Sequence, residues 1–191
     1  LLYNGNLTNM KLEEAIVVLN PNLDNKLIDY FKDYIDFMAN KKLSVTDRLD
    51  ENVRNVFGHS IEHEKISDKV YFKHIQNIIT TYYNHYKFKF PKLSIGKLTQ
   101  IDILKYEIGG KYEAHVDDYP EANRTISCII NLNEDYEGGD FLFYDPKIKD
   151  IIKRVQCKKG TIIFFPSNFL YPHRIEPITK GKRYSIVAWL K

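Results

Sequence analysis

Cysteine is scarce in this chain: two among 191 residues, Cys128 and Cys157. Two are too few for a disulfide framework, and a reducing, cytoplasmic setting is the simpler expectation. Cys128 lies in an apolar run and reads as a core residue. A dominant charge of one sign is also missing. The formal net charge of +3 is too weak to argue for a nucleic-acid partner. No apolar stretch is long enough to span a membrane, so no membrane partner is expected. No secretory signal opens the sequence, although the chain begins with Leu1 rather than Met, and this absence carries little weight. Internal repeats, low-complexity segments and dividing linkers are absent, and nothing points to an oligomeric state. What remains is an ordinary globular composition, 43% hydrophobic and 28% charged, with 14 Tyr and 11 Phe. It suits one domain over residues 1–191 with a full core.

The first half reads helical. Leu27, Ile28, Phe31, Tyr34, Ile35 and Met38 recur at helical spacing after a start signal at Pro21 and residues 22–24. A second helix is expected from Ser67 or Asp68 to about Phe90. Its buried stripe would be Val70, His74, Ile75, Ile78, Ile79, Tyr82 and Tyr86, and Pro91 would end it. Residues 41–64 are charged, carry Gly58 and show no period; they read as a loop with at most a short helix. After Pro91 the pattern changes to short strands, expected at 99–107, 112–116, 124–132, 140–144, 161–165, 174–177 and 183–190. Gly109-Gly110, Gly138-Gly139, Asp145-Pro146, Lys159-Gly160 and Lys180-Gly181 supply the turns. Helices followed by strands imply an α+β fold: helical support in 1–92 and an antiparallel sandwich or barrel in 93–191.

Four residues in the strand region carry chemistry. Residues two apart on a strand share a face, so His115 and Asp117 would both point inward while Val116 points away. A lone His-x-Asp is common. His173, however, enters a later strand after enough chain to return to the same mouth. Two His and one carboxylate cap one face of a divalent metal and leave positions open, which suits non-haem Fe(II). Arg183 and Ser185 also share a face. A guanidinium binds a carboxylate bidentately and cannot lose its charge, so Arg183 can hold a dicarboxylate bound at the open positions. Arg183 begins an apolar strand and falls on the face of Val187 and Trp189; Lys182 points the other way.

At this point the second half resembles the double-stranded β-helix (jelly-roll) of the iron(II)- and 2-oxoglutarate-dependent dioxygenases, and within them the prolyl hydroxylase branch. The resemblance rests on residues 106–117 (Tyr-Glu-Ile-Gly-Gly-Lys-Tyr-Glu-Ala-His-Val-Asp), on 124–133, on 136–141, on Pro172-His173 and on 183–189. It covers about half the chain. It implies that His115, Asp117 and His173 bind Fe(II), and that Arg183 pairs with the distal carboxylate of 2-oxoglutarate. Tyr106 would line the cosubstrate pocket, Tyr112 would pack beside the metal, and Trp189 would lie near the iron. Arg124 would lie near a bound peptide. Asn131 stands where oxygen-sensing members carry a tyrosine that helps hold the distal carboxylate, so Asn131, Ser185 or another residue would supply that hydrogen bond. Collagen-type members usually carry Lys at the position of Arg183, which places this chain nearer the oxygen-sensing and bacterial or ribosomal-protein branches. Gly138-Gly139 would permit a tight hairpin and a close backbone approach.

The implied activity is a prolyl 4-hydroxylase acting on a proline-containing peptide or protein, with Fe(II), 2-oxoglutarate and O2, and with ascorbate admitted as an accessory cofactor. The loops at 41–64 and 116–123 are the expected closures over a peptide. Two other readings stand beside it. One keeps the cofactors and changes the target to another side chain, a free amino acid or a nucleobase. The other is a non-catalytic β-helix module that binds a peptide or a metal.

Overall fold

A computed structural model of the chain describes residues 10–44, 48–94 and 97–191. A 3-10 turn (Leu12–Ala15) and β1 (Val17–Leu19) precede helix α1 (Asn25–Met38). Asp24 caps α1, its carboxylate accepting from the Lys26 amide at 2.7 Å. Three short strands follow, β2 (Lys41–Lys42), β3 (Arg54–Asn55) and β4 (Phe57–Ser60), before helix α2 (Ile66–Lys89). The rest is β-structure: β5 (Leu98–Tyr106), β6 (Lys111–His115), β7 (Ile126–Asn131), β8 (Glu137–Gly138), β9 (Phe141–Tyr144), β10 (Ile151–Val155), β11 (Ile162–Pro166), β12 (His173–Ile175), β13 (Ile178–Lys180) and β14 (Arg183–Leu190).

Two antiparallel sheets face each other. The larger has the order β1-β11-β7-β14-β5-β4-β2 and the smaller β10-β9-β12-β6-β3; β8 and β13 form a separate pair. This is the expected jelly-roll with helical support. Strand alternation divides the core into two layers. On β14, Tyr184, Ile186, Ala188 and Leu190 pack outward with Ile28, Phe31 and Ile35 of α1 and Ile75, Ile79 and Tyr86 of α2. Val187 and Trp189 face inward, between the sheets, with Phe141, Phe143 and Phe165. Buried on both faces, β14 reads as a nearly continuous apolar run.

Three expectations need correction. The buried stripe of α2 is Ile75, Ile78, Ile79, Tyr83 and Tyr86, with Tyr71, Phe72 and Tyr82 at its margin. Val70 and His74 are exposed: counting back from Ile78 in steps of four drifts off a face that repeats every 3.6 residues. The stretch 41–64 is no simple loop, since β2, β3 and β4 lie in it; its residues 45–47 are outside the described residues. These strands are too short to show a period, and β2 and β3 form sheet edges. Finally, β1, β8, β10 and β13 had no expected counterpart, because short edge strands of mixed composition carry little periodic signal.

Candidate active site

The metal-binding candidates converge between the sheets. His115 ends β6 and His173 begins β12; these strands pair with His115 opposite His173. Asp117 lies two residues beyond β6 rather than on it. Its Oδ1 is 3.6 Å from His115 Nε2 and 3.7 Å from His173 Nε2. These gaps exceed a hydrogen bond, and one donor atom from each residue lies within 4.8 Å of the others. Both imidazoles are oriented from behind: His115 Nδ1 meets the Glu113 carbonyl at 2.7 Å and His173 Nδ1 meets the Tyr171 carbonyl at 3.1 Å. A protonated Nδ1 bonded to a carbonyl leaves the Nε2 lone pair for a metal. Burial, followed by the neighbouring His115, pushes His173 down to about 4, so it is neutral near pH 7. Burial alone would raise Asp117. The imidazoles of His173 and His115 and the Ser127 hydroxyl outweigh it and hold the carboxyl well below the usual range. The donor set fits Fe(II): two imidazole nitrogens and one carboxylate oxygen on one side, with the other side open.

A bulge sets the surroundings. The β6–β12 register shifts by one between Tyr112 and His115, so residues three apart both line the cavity. Tyr112 stacks on the His115 ring at 3.5 Å and 19°. Phe141 stacks on the His173 ring at 5.1 Å and 15°.

Arg183 lines the same cavity as the triad. It is 1% exposed, yet its Nε and Nη2 have no hydrogen-bond partner. Its Nη1 donates to Ser185 Oγ at 3.4 Å, the Tyr136 and Tyr106 hydroxyls and the Cys157 thiol lie beside it, and among the described residues it has no ion pair. A buried guanidinium without a counter-ion costs several kcal/mol, roughly, so the site is built around an anion. Leu104, Ile129 and Val187 add apolar lining to this cavity. The 2-oxo dicarboxylate expected from the sequence fits this arrangement, with one end at Arg183 and the other facing the triad. Gly139 permits the packing here: at φ +69 it bears no side chain, and a Cβ would fall 2.5 Å from Ile178 Cδ1 and 3.3 Å from Arg183 Cδ.

Tyr106 pairs across the ladder with Arg183, and the guanidinium lies 5.2 Å from its ring centroid. Ser185 and Trp189 line the same cavity. Lys182 is on the surface, 3.7 Å from Glu107. Asn131 is elsewhere. Its Nδ2 donates to the carbonyl of Asn133 at 2.6 Å and that of Lys158 at 3.2 Å, and its Oδ1 accepts from Tyr136 at 3.3 Å. It does not line the cavity, so a direct bond from Asn131 to a cosubstrate finds no support. Arg124 is likewise committed within the protein. Its Nη1 donates to the Asp117 carbonyl at 3.0 Å and its Nη2 to Gln100 Oε1 at 2.7 Å. The same guanidinium stacks on Trp189 at 3.7 Å. These contacts brace the Asp117 loop.

Two site residues escaped sequence reasoning. Ser127 donates to Asp117 Oδ2 at 2.6 Å, which turns Oδ1 toward the imidazoles. The signal was a hydroxyl inside the apolar run Ile126-Ser-Cys-Ile-Ile. Arg54 of β3 also lines the cavity, and it lay in the stretch without a period.

Residues 101–191 match the sequence profile of the 2OG-Fe(II) oxygenase superfamily. Human prolyl 3-hydroxylase 2 is 35% identical over 66 residues, covering 35% of this chain and 9% of that protein. A PKHD-type hydroxylase of Idiomarina loihiensis is 30% identical over 99 residues, covering 50% of this chain and 43% of the relative. The chain thus matches less than half the length of these relatives. The fold matches a Pseudomonas putida prolyl-4-hydroxylase with a TM-score of 0.73 at 18% identity, over 93% of this chain and 92% of that one. It also matches a Trichoplax adhaerens prolyl hydroxylase solved with a hypoxia inducible factor peptide, with a TM-score of 0.74 at 16% identity over 92% and 83%. The profile match thus falls on the strands of the second half, which hold the site, and the fold is that of the prolyl hydroxylase structures.

Proposed function

We propose that this chain is an Fe(II)- and 2-oxoglutarate-dependent dioxygenase that hydroxylates a prolyl residue of a peptide or protein. The observation that carries the cofactor reading is the buried, unpaired Arg183 facing the His115–Asp117–His173 triad through one cavity. The names of the relatives, prolyl 3-hydroxylase and PKHD-type hydroxylase, support the prolyl target.

Iron and 2-oxoglutarate, when bound, would supply the oxidising chemistry, with O2, 2-oxoglutarate and a substrate C–H bond giving succinate, CO2 and a hydroxylated carbon. The protein's own contribution is placement. His115, Asp117 and His173 hold the metal from one side, and their hydrogen bonds to Glu113, Ser127 and Tyr171 keep each donor atom aimed. Arg183, joined by Ser185, anchors the far carboxylate. Leu104, Ile129 and Val187 keep water from the carbon chain between them. Peptide-dependent succinate formation tests the proposal, since a binding module would form none. The wild type is expected to form succinate with iron, 2-oxoglutarate, O2 and a prolyl peptide, and His173→Ala none. Equal succinate from both proteins would overturn it.

A further inference from the structure

The cavity contains two guanidinium groups, and the cosubstrate accounts for only one. The second belongs to Arg54 on β3, where it pairs with Tyr112 of β6. Its guanidinium lies over the Tyr112 ring at 4.7 Å, and that ring stacks on His115 at 3.5 Å. Arg54 therefore stands at the metal end of the cavity, one aromatic ring away from a metal-binding imidazole.

Its hydrogen bonding is incomplete. Nη1 donates to the Ser44 carbonyl at 3.2 Å, while Nε is buried without a partner. Among the described residues no carboxylate lies within ion-pair distance. Glu113, the acidic neighbour on β6, is held by Lys111 at 2.9 Å and faces Arg174 at 3.5 Å. A planar donor fork pre-organised on an aromatic face and lacking a counter-ion is a receptor for an oxyanion.

Charge balance indicates which anion. In the loaded site a divalent cation, Asp117, Arg183 and a dianionic 2-oxo acid cancel, with the imidazoles neutral. Both carboxylates of the cosubstrate are used, one at the metal and one at Arg183. Arg54 is left as an uncompensated positive charge lining the cavity, and the one component still to arrive is the substrate. We propose that Arg54 binds an acidic side chain, Asp or Glu, close in sequence to the target proline, and so gives this chain a preference for acidic peptides. The proposal deepens the prolyl hydroxylase reading and rests on it.

Binding tests it without requiring turnover. The full chain, loaded with Mn(II) and 2-oxoglutarate under anaerobic conditions, is titrated with labelled proline peptides in which a single Glu, Gln or Lys is moved through the positions flanking the proline. At the preferred position the wild type is expected to bind the Glu peptide about tenfold more tightly than the Gln peptide. Arg54→Gln is expected to bring that ratio to about one, and Arg54→Glu to invert it in favour of Lys. Each ratio is taken within one protein, so partial loss of folded material changes both constants alike. Arg54→Lys, which keeps the charge and loses the fork, is expected to retain part of the preference. A wild type that does not discriminate, a preference that survives Arg54→Gln, or an Arg54→Glu variant without inversion would each overturn the proposal. Mixing the same peptides with the Fe(II)-loaded chain, 2-oxoglutarate and O2 reports separately on the prolyl reading: acidic preference without hydroxylation would overturn that reading and leave the Arg54 contact standing.

Discussion

At the scale of single residues, burial decides which charges have a purpose. Arg183 is enclosed and unpaired, so truncating it removes the partner of a desolvated carboxylate. Such a loss costs about 2–5 kcal/mol, roughly 30- to several-thousand-fold in affinity. Titration of 2-oxoglutarate into Arg183→Ala is expected to show that weakening with metal binding nearly unchanged. Arg183→Lys should recover part of it, and exposed Lys182→Ala should be silent. Ser127 acts one step further back. Without its hydroxyl, Asp117 Oδ2 loses its 2.6 Å donor, and Ser127→Ala is expected to weaken Mn(II) or Fe(II) binding about 10- to 100-fold, as loss of such an orienting partner typically does. Unchanged metal affinity would show that the hydroxyl merely fills space. His115, Asp117 and His173 are legible in the sequence from motif spacing, and Arg183 from strand parity, although Asp117 lies beyond the strand on which parity would place it. Ser127 and Arg54 are not, since their roles depend on which strands become neighbours. Asn131 misleads for the same reason: it pairs across the ladder with Ser185, but nearby carbonyls and Tyr136 take up its amide.

At the scale of elements, two devices build the site. The inward row of β14, Arg183-x-Ser185-x-Val187-x-Trp189, follows from simple alternation and is readable in the sequence alone. The bulge in β6 is not, because a register shift belongs to the pairing with β12. Arg124 ties the loop after β6 to β5 and β14 through the Asp117 carbonyl, Gln100 and Trp189. Arg124→Ala is therefore expected to lower peptide turnover and peptide-free 2-oxoglutarate turnover together. A selective rise in peptide KM would instead restore a peptide-holding role. The helical layer depends on Asp68 in the first turn of α2, which is 0% exposed. It accepts from Tyr34 at 2.6 Å, the Glu62 amide at 2.9 Å and Ser67 at 3.0 Å, and meets His59 at 3.1 Å. Burial would raise this carboxyl, but its hydrogen bonds prevail and lower it to about 2. A depressed folded value stabilises the fold above the unfolded value near ~3.9 and ceases to do so as pH falls through about 2. Wild-type thermal stability should thus fall over that acid window, and Asp68→Ala should flatten its share of the fall and cost about 2–5 kcal/mol at neutral pH by stranding buried donors.

At the scale of the whole molecule, the helices-then-strands order anticipates an α+β jelly-roll, because long amphipathic helices and alternating strands both leave periodic traces. The small sheet's edge is hidden: β3 lies in a charged stretch and acquires meaning only against β6. That edge brings Arg54 to the cavity, so the least legible segment contributes the residue on which substrate choice is proposed to turn. The two sheets and the cavity between them serve one claim, that a metal and a 2-oxo acid held here deliver oxygen to a prolyl carbon. Mass spectrometry of a proline-peptide panel incubated with the protein, Fe(II), 2-oxoglutarate and isotopically labelled O2 tests that claim most directly. The account predicts a mass gain of one labelled oxygen atom on a prolyl residue, matched by succinate and absent with His115→Ala. Succinate formed with no labelled proline anywhere in the panel, or labelled proline formed equally well by His115→Ala, would contradict it.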